Sequence, residues 1–88
     1  MQIVRRASAG TLESSDAYIE IEPIDAGLQL EIESVVYQQF GNQIQSMATE
    51  MLATFEIQNA HVRINDRGAL DCVLRARLET AIRRSLEG

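Results

Sequence analysis

The chain has 88 residues, of which 45% are hydrophobic, and its 13 acidic and 8 basic residues give a net charge of -5. A chain of this length buries only a modest core, so we expect one domain over residues 1–88 without a deep enclosed pocket. The acidic balance repels phosphate backbones and anionic lipid surfaces, so neither nucleic acid nor a membrane is an expected partner.

The first half of the chain predicts a hairpin and one further strand. Residues 17–22 alternate between apolar and polar side chains, which indicates a half-buried strand, and residues 7–11 form a weakly patterned first arm. Between them Glu13-Ser14-Ser15-Asp16 predicts a hairpin loop built around a type I turn. Residues 28–33 alternate again, after a loop that contains Pro23 and Gly27.

The second half predicts a helix, a strand and a second helix. Ser34 can serve as the N-cap of the first helix, and residues 60–65 alternate as a strand. Apolar residues at helical spacing form the predicted stripe of the first helix (Val36, Phe40, Ile44, Met47, Met51, Phe55) and that of the second (Leu70, Val73, Leu74, Leu78, Ala81, Ile82). The order β-β-β-α-β-α predicts an α+β fold, a mainly antiparallel sheet with both helices packed on one face.

Candidate catalytic groups are few. His61, the only histidine, has no further ligand at metal-binding spacing, so we expect a solvated strand residue. Glu13 and Asp16 lie at an exposed turn where nothing is expected to separate their pKa values, which argues against an acid-base pair. The chain has no lysine for Schiff-base chemistry, and no histidine lies near the serines of the turn. We therefore predict a protein that other enzymes act upon, with no catalytic residue of its own.

Two separated runs carry a family resemblance. "AGTLESSD" (9–16) and "DRGALDCVLRARLE" (66–79) resemble the acyl carrier protein, or gamma subunit, of bacterial citrate lyase, and the likeness covers nearly the whole chain. It implies that the serine of "GTLES", here Ser14, carries triphosphoribosyl-dephospho-coenzyme A through a phosphodiester. Ser15 follows directly, and motif position alone favours Ser14 over it.

The resemblance also implies partners. In this family an acyl-transferase (alpha) subunit exchanges acetyl for citrate on the arm, and a lyase (beta) subunit cleaves the citryl thioester to oxaloacetate. A transferase attaches the prosthetic group, and an acetate ligase acylates its thiol. With a single cysteine, Cys72, and no apolar leader, the expected location is the cytoplasm.

Two alternatives of other kinds stay open. One is the carrier subunit of malonate decarboxylase, which uses a similar prosthetic group, although the run "GALDCVLRARLE" favours citrate lyase. The other is an α+β interaction module that is never modified. The Asp-Ser-Leu triplet of the ordinary helical carrier proteins does not occur.

Arg77 lies inside the apolar stripe of the last predicted helix. Because an unpaired charge there is costly, we expect it to pair with a carboxylate, while a contact with the cofactor's phosphates is the functional rival.

Overall fold

The computed structural model describes residues 2–87 as a four-stranded sheet and two helices. The elements in chain order are β1 (Ala7–Gly10), β2 (Ala17–Glu22), β3 (Leu28–Ser34), α1 (Tyr37–Thr54), β4 (Ala60–Asp66) and α2 (Asp71–Leu86). This confirms the predicted order and the α+β class. Neither helix is long and apolar enough to cross a membrane.

The strands lie in the spatial order β1-β2-β4-β3, so the last strand enters the sheet between two earlier ones. The pairs β1–β2 and β2–β4 are antiparallel, and β3–β4 is parallel. Since parallel neighbours need a long crossover, α1 connects β3 to β4. In the register of the two inner pairs, Ile64 of β4 lies opposite Ile19 of β2 and Ile32 of β3.

Both helices cover one face of the sheet. The alternate residues of β2 and β4 that point to this face, including Ile19, Ile21 and Val62, are completely buried. They form one core with buried residues of both helices, such as Leu52 of α1 and Leu78 of α2. The period-two pattern of β2 and β4 was therefore a correct indicator of their buried side.

The other face of the sheet is polar, and His61 on it differs from its prediction. Its side chain is only 13% exposed, because it lies between two carboxylates of the neighbouring strands. Nδ1 is 3.2 Å from Glu22 Oε1, and Nε2 is 2.5 Å from Glu31 Oε2. A local pattern could not show these neighbours, and the expectation of a solvated histidine was wrong.

Helix α1 also differs from its prediction. It begins at Tyr37, and Ser34 does not cap it; the Ser34 hydroxyl instead accepts a hydrogen bond from the Val36 amide and donates one to Asp66. Phe40, expected in the stripe, is 45% exposed. A Cβ built on Gly41 would lie 2.9 Å from the Tyr37 ring, so glycine leaves room for that ring. The buried residues of the helix are Gly41, Ile44, Met47, Ala48 and Leu52.

Leu70 was expected in the buried stripe of α2. It precedes the helix as its N-cap residue and is 71% exposed. The stripe assignment of Leu70 was therefore wrong, whereas Leu74, Leu78, Ala81 and Ile82 are buried as predicted.

Candidate functional site

The loop of residues 11–16 joins β1 to β2 at one end of the sheet, and Ser14 and Ser15 are both exposed at its tip. The Asp16 amide donates to the Glu13 carbonyl at 3.1 Å, which closes a turn with the two serines in its centre. Ser15 has φ +66°, whereas a type I turn needs a negative φ at that position; a positive φ there is typical of a type II turn. The type I prediction was wrong, and one physical reason is that the Ser15 amide turns to donate to the Arg67 carbonyl at 2.8 Å.

Asp16 anchors the base of this loop. Its carboxylate accepts two hydrogen bonds from Arg77 of α2, Nε to Oδ1 and Nη2 to Oδ2, each 3.0 Å long. It also accepts from the Thr11 hydroxyl at 2.6 Å and from the Ala17 amide at 2.7 Å. These donors, Arg77 first, lower the pKa of Asp16 to about 2. The expected pairing of Arg77 with a carboxylate is confirmed.

The expectation that nothing would shift the pKa of Asp16 was wrong, because its main partner comes from α2, 61 residues away in sequence. The shift does not make Asp16 a general acid or base. A carboxylate held ionised by four donors has little tendency to exchange a proton near neutral pH. Asp16 therefore has a structural role, which sequence reasoning missed.

Gly10 lets β1, the loop and α2 meet. It has φ +96°, and a Cβ built on it would lie 1.8 Å from the Ala17 carbonyl oxygen and 3.2 Å from Cδ of Arg77. No side chain fits there, so glycine is required by both its conformation and its surroundings. The sequence signal was the glycine directly before the loop, at the start of "GTLESSD".

The second sequence run begins next to the first. The Arg67 amide donates to the Asp16 carbonyl at 2.9 Å, which extends the β2–β4 ladder beyond the pair Ala17 and Asp66. Asp66 is the last residue of β4 and is 1% exposed. Its carboxylate accepts from the Ala69 amide at 2.9 Å and from the Ser34 hydroxyl at 2.8 Å. Asp66 thus holds the segment that leads into α2 against the loop end of the sheet.

The tip of the loop stays open although its base is fixed. Within residues 2–87 neither the Ser14 nor the Ser15 hydroxyl makes a hydrogen bond. His61 pairs with Glu22 at the far end of the β2–β4 ladder, so it offers no base to the serines. In the described part of the chain, no group of His, Cys, Asp and Glu is placed to hold a metal ion. The site can present a hydroxyl, and the loop itself brings no histidine to activate it.

Exposed apolar side chains concentrate at this end of the sheet. Across residues 2–87 seven large apolar residues are exposed, and two of them, Val4 and Leu28, lie towards the other end. The other five lie in the loop, after β3, in the first turn of α1 or before α2 (Leu12, Val35, Tyr37, Phe40, Leu70). We call these five the apolar rim. Their exposed side chains are available for contact with another protein that reaches this end of the sheet.

Comparison with known proteins agrees with this picture. The acyl carrier family model described as malonate decarboxylase delta subunit matches residues 4–85. A citrate lyase acyl carrier protein of Escherichia fergusonii is 53% identical over 88 residues, 99% of this chain and 91% of that protein. One of Haemophilus ducreyi is 51% identical over 87 residues, 99% of this chain and 90% of that protein.

A solved structure has the same fold. A chain in the crystal structure of a Pseudomonas malonate decarboxylase hetero-tetramer in complex with malonate superposes with a TM-score of 0.80 at 25% identity, covering 91% of this chain and 82% of that one. The resemblance drawn from the two sequence runs is confirmed by these relatives. The chain therefore belongs to the family of citrate lyase acyl carrier proteins, whose members are non-catalytic carrier subunits.

Proposed function

We propose that this chain is the carrier subunit of a citrate lyase and that the Ser14 hydroxyl is the attachment point of triphosphoribosyl-dephospho-coenzyme A. The observation that carries the proposal is the contrast at the loop. The base is held by the Asp16–Arg77 pair, while Ser14 at the tip is exposed and free of hydrogen bonds within residues 2–87. When bound, the group supplies the thiol on which acyl groups are carried.

The residues present suit such a group. A phosphodiester on serine needs a hydroxyl that an external enzyme can reach, and no wall encloses Ser14. The backbone on either side of Ser14 is fixed in position. The Asp16 carboxylate binds Arg77, and the backbones of Ser15 and Asp16 are hydrogen-bonded to that of Arg67. A tether fixed in this way keeps a carried acyl group at high effective concentration near the enzymes that act on it.

Backbone geometry supports Ser14 over Ser15. The Ser15 amide is bonded to the Arg67 carbonyl, and its φ of +66° is a conformation that residues other than glycine adopt infrequently. Ser14 occupies the first central position of the turn, and its amide donates no hydrogen bond within residues 2–87. Ser14 is thus the less constrained of the two, and it is also the serine of the "GTLES" run.

The proposed partners are the acyl-transferase (alpha) and lyase (beta) subunits, the transferase that attaches the prosthetic group, and the acetate ligase that acylates the arm. Enzymes that reach Ser14 approach the end of the sheet that carries the apolar rim, so Leu12 and Leu70 are available for contact with them. We propose a cytoplasmic location for this complex, as the cysteine usage of the sequence predicts.

A carrier subunit of malonate decarboxylase is the second candidate, because the family model is described as malonate decarboxylase delta subunit and the structural relative is a chain of a malonate decarboxylase hetero-tetramer. The degree of similarity favours citrate lyase. The citrate lyase acyl carrier protein of Escherichia fergusonii is 53% identical to this chain, against 25% for the matched chain of the Pseudomonas hetero-tetramer.

The test is an intact-mass measurement of the carrier after coexpression with its prosthetic-group transferase. Wild type and Ser15→Ala should gain the mass of the group, while Ser14→Ala should fold normally and gain nothing, since an exposed hydroxyl contributes within about 0.5 kcal/mol to stability. A modified peptide that maps to Ser15 would move the site by one residue. A wild-type protein that never gains mass would refute the carrier proposal. Copurification of the native complex distinguishes citrate lyase subunits from those of malonate decarboxylase.

A further inference from the structure

Arg67 is the arginine of this chain whose guanidinium has no partner within residues 2–87. Each of the other arginines donates to a carboxylate or a backbone carbonyl: Arg5 to Glu87, Arg6 to Glu20, Arg63 to Glu31, Arg75 to Asp71, Arg77 to Asp16, Arg83 to Glu79, and Arg84 to the Ser8 carbonyl. In a chain of net charge -5, this leaves one exposed guanidinium free to bind an anion.

The backbone holds Arg67 beside the loop. Its amide donates to the Asp16 carbonyl at 2.9 Å, and its carbonyl accepts from the Ser15 amide at 2.8 Å. Two hydrogen bonds therefore pair Arg67 with the residues that directly follow Ser14. The long side chain starts from a position that is fixed relative to the proposed attachment point.

A positive charge beside the loop would offset the negative charges of Glu13 and of a phosphate on Ser14. Glu13, next to Ser14, is exposed and makes no ion pair within residues 2–87, so a phosphate attached to Ser14 adds negative charge beside a carboxylate. Arg77 is the other arginine near the loop, and its charge is already paired with Asp16 through Nε and Nη2. Arg67, whose charge is not paired with a carboxylate within residues 2–87, is therefore the cation available to offset the added charge.

We propose that the Arg67 guanidinium binds the phosphate that links the prosthetic group to Ser14. An arginine fork matches phosphate oxygens and can donate two parallel hydrogen bonds to them. The contact holds the root of the arm against the domain and reduces the repulsion between the phosphate and Glu13. This inference rests on the proposed function, because it needs a phosphodiester at Ser14.

The first part of the test measures loading. Arg67→Gln removes the charge, and Arg67→Lys retains it without the fork. Arg63→Gln is the matched control, because Arg63 lies on β4, the strand that leads directly into Arg67, is exposed and loses the same charge. We expect kcat/KM for loading to fall about tenfold in Arg67→Gln, the equivalent of one charged hydrogen bond, with partial recovery in Arg67→Lys. The control should stay within about twofold of wild type, and all variants should melt like wild type.

The second part separates a phosphate contact from a contact with the transferase. The Arg67 Nε–H resonance, assigned by its disappearance in Arg67→Gln, should shift when the wild-type carrier is loaded, while the Arg63 resonance should not. The phosphorus resonance of the linkage should differ between loaded wild type and loaded Arg67→Gln.

Slower loading without these spectral changes would overturn the proposal and assign Arg67 to transferase docking. Normal loading with unchanged spectra would overturn it as well and leave the attachment at Ser14 intact. Failure of wild type to gain mass would instead refute the proposed function, and the inference would fall with it.

Discussion

Replacement of Gly10 by alanine should destabilise the domain more than alanine at either of the other two glycines with a positive φ, Gly27 and Gly68. Gly10 ends β1 with φ +96°, and the added Cβ would lie 1.8 Å from the Ala17 carbonyl oxygen. Ala17 is completely buried and paired with Asp66, so the clash cannot be relieved by a small shift of β2.

The expected cost has two parts. A left-handed backbone costs an L residue about 1–2 kcal/mol, and overpacking a tight site costs about 1–3 kcal/mol. The sum of about 2–5 kcal/mol is a large share of the roughly 4–13 kcal/mol that a domain of this length has in total. The melting temperature should therefore fall by about 10 °C or more.

Gly27→Ala is the matched control for thermal and urea denaturation. Gly27 has φ +85°, but apart from Gly27 and its two chain neighbours no residue has a heavy atom within 4 Å of the position its Cβ would take, so only the backbone cost of about 1–2 kcal/mol applies. The difference between the two variants measures the clash with Ala17. Equal destabilisation by both substitutions would refute the argument that close packing, in addition to φ, requires glycine at the base of the loop.

Three further predictions concern the loop end. Arg77→Met should lower the melting temperature by about 5–10 °C, because it leaves Asp16 without its main donor. Arg75→Met, which removes an exposed pair with Asp71, should change the melting temperature little. Because the pKa of Asp16 is lowered to about 2, the contribution of its carboxylate to folding stability is complete above the pKa of the unfolded chain and is lost as the pH falls. Wild type should therefore lose stability between about pH 4 and pH 2, and Arg77→Met should lose less. Parallel pH profiles of stability for the two proteins would contradict this. Leu70→Ser should melt like wild type yet be loaded with the prosthetic group several-fold more slowly. Val4→Ser, which changes an exposed apolar residue outside the apolar rim, should be loaded at the wild-type rate. Equal loading rates for the two variants would show that Leu70 does not contact the transferase.

Several features of the site could be predicted from the sequence because they depend on local patterns. Alternation in residues 17–22 and 60–65 indicated which side of β2 and β4 is buried, since side chains of a strand point to opposite faces in turn. The position of Arg77 in an apolar stripe indicated that it needs a carboxylate, because burial of an unpaired charge is costly. The two motif runs sufficed to place the chain in its family.

The tertiary structure decided which distant residues meet. Nothing local to residues 13–16 shows that Arg77 of α2 would bind Asp16, or that Arg67 would continue the ladder beside Ser15. Those contacts arise because β4 enters the sheet between β2 and β3, which brings both motif runs to one end of the molecule. Periodicity reports the burial of a residue but carries no information about its partner. The hydrogen bonds that fix the base of the loop of residues 11–16 and the exposure of its tip are therefore seen only in the folded chain.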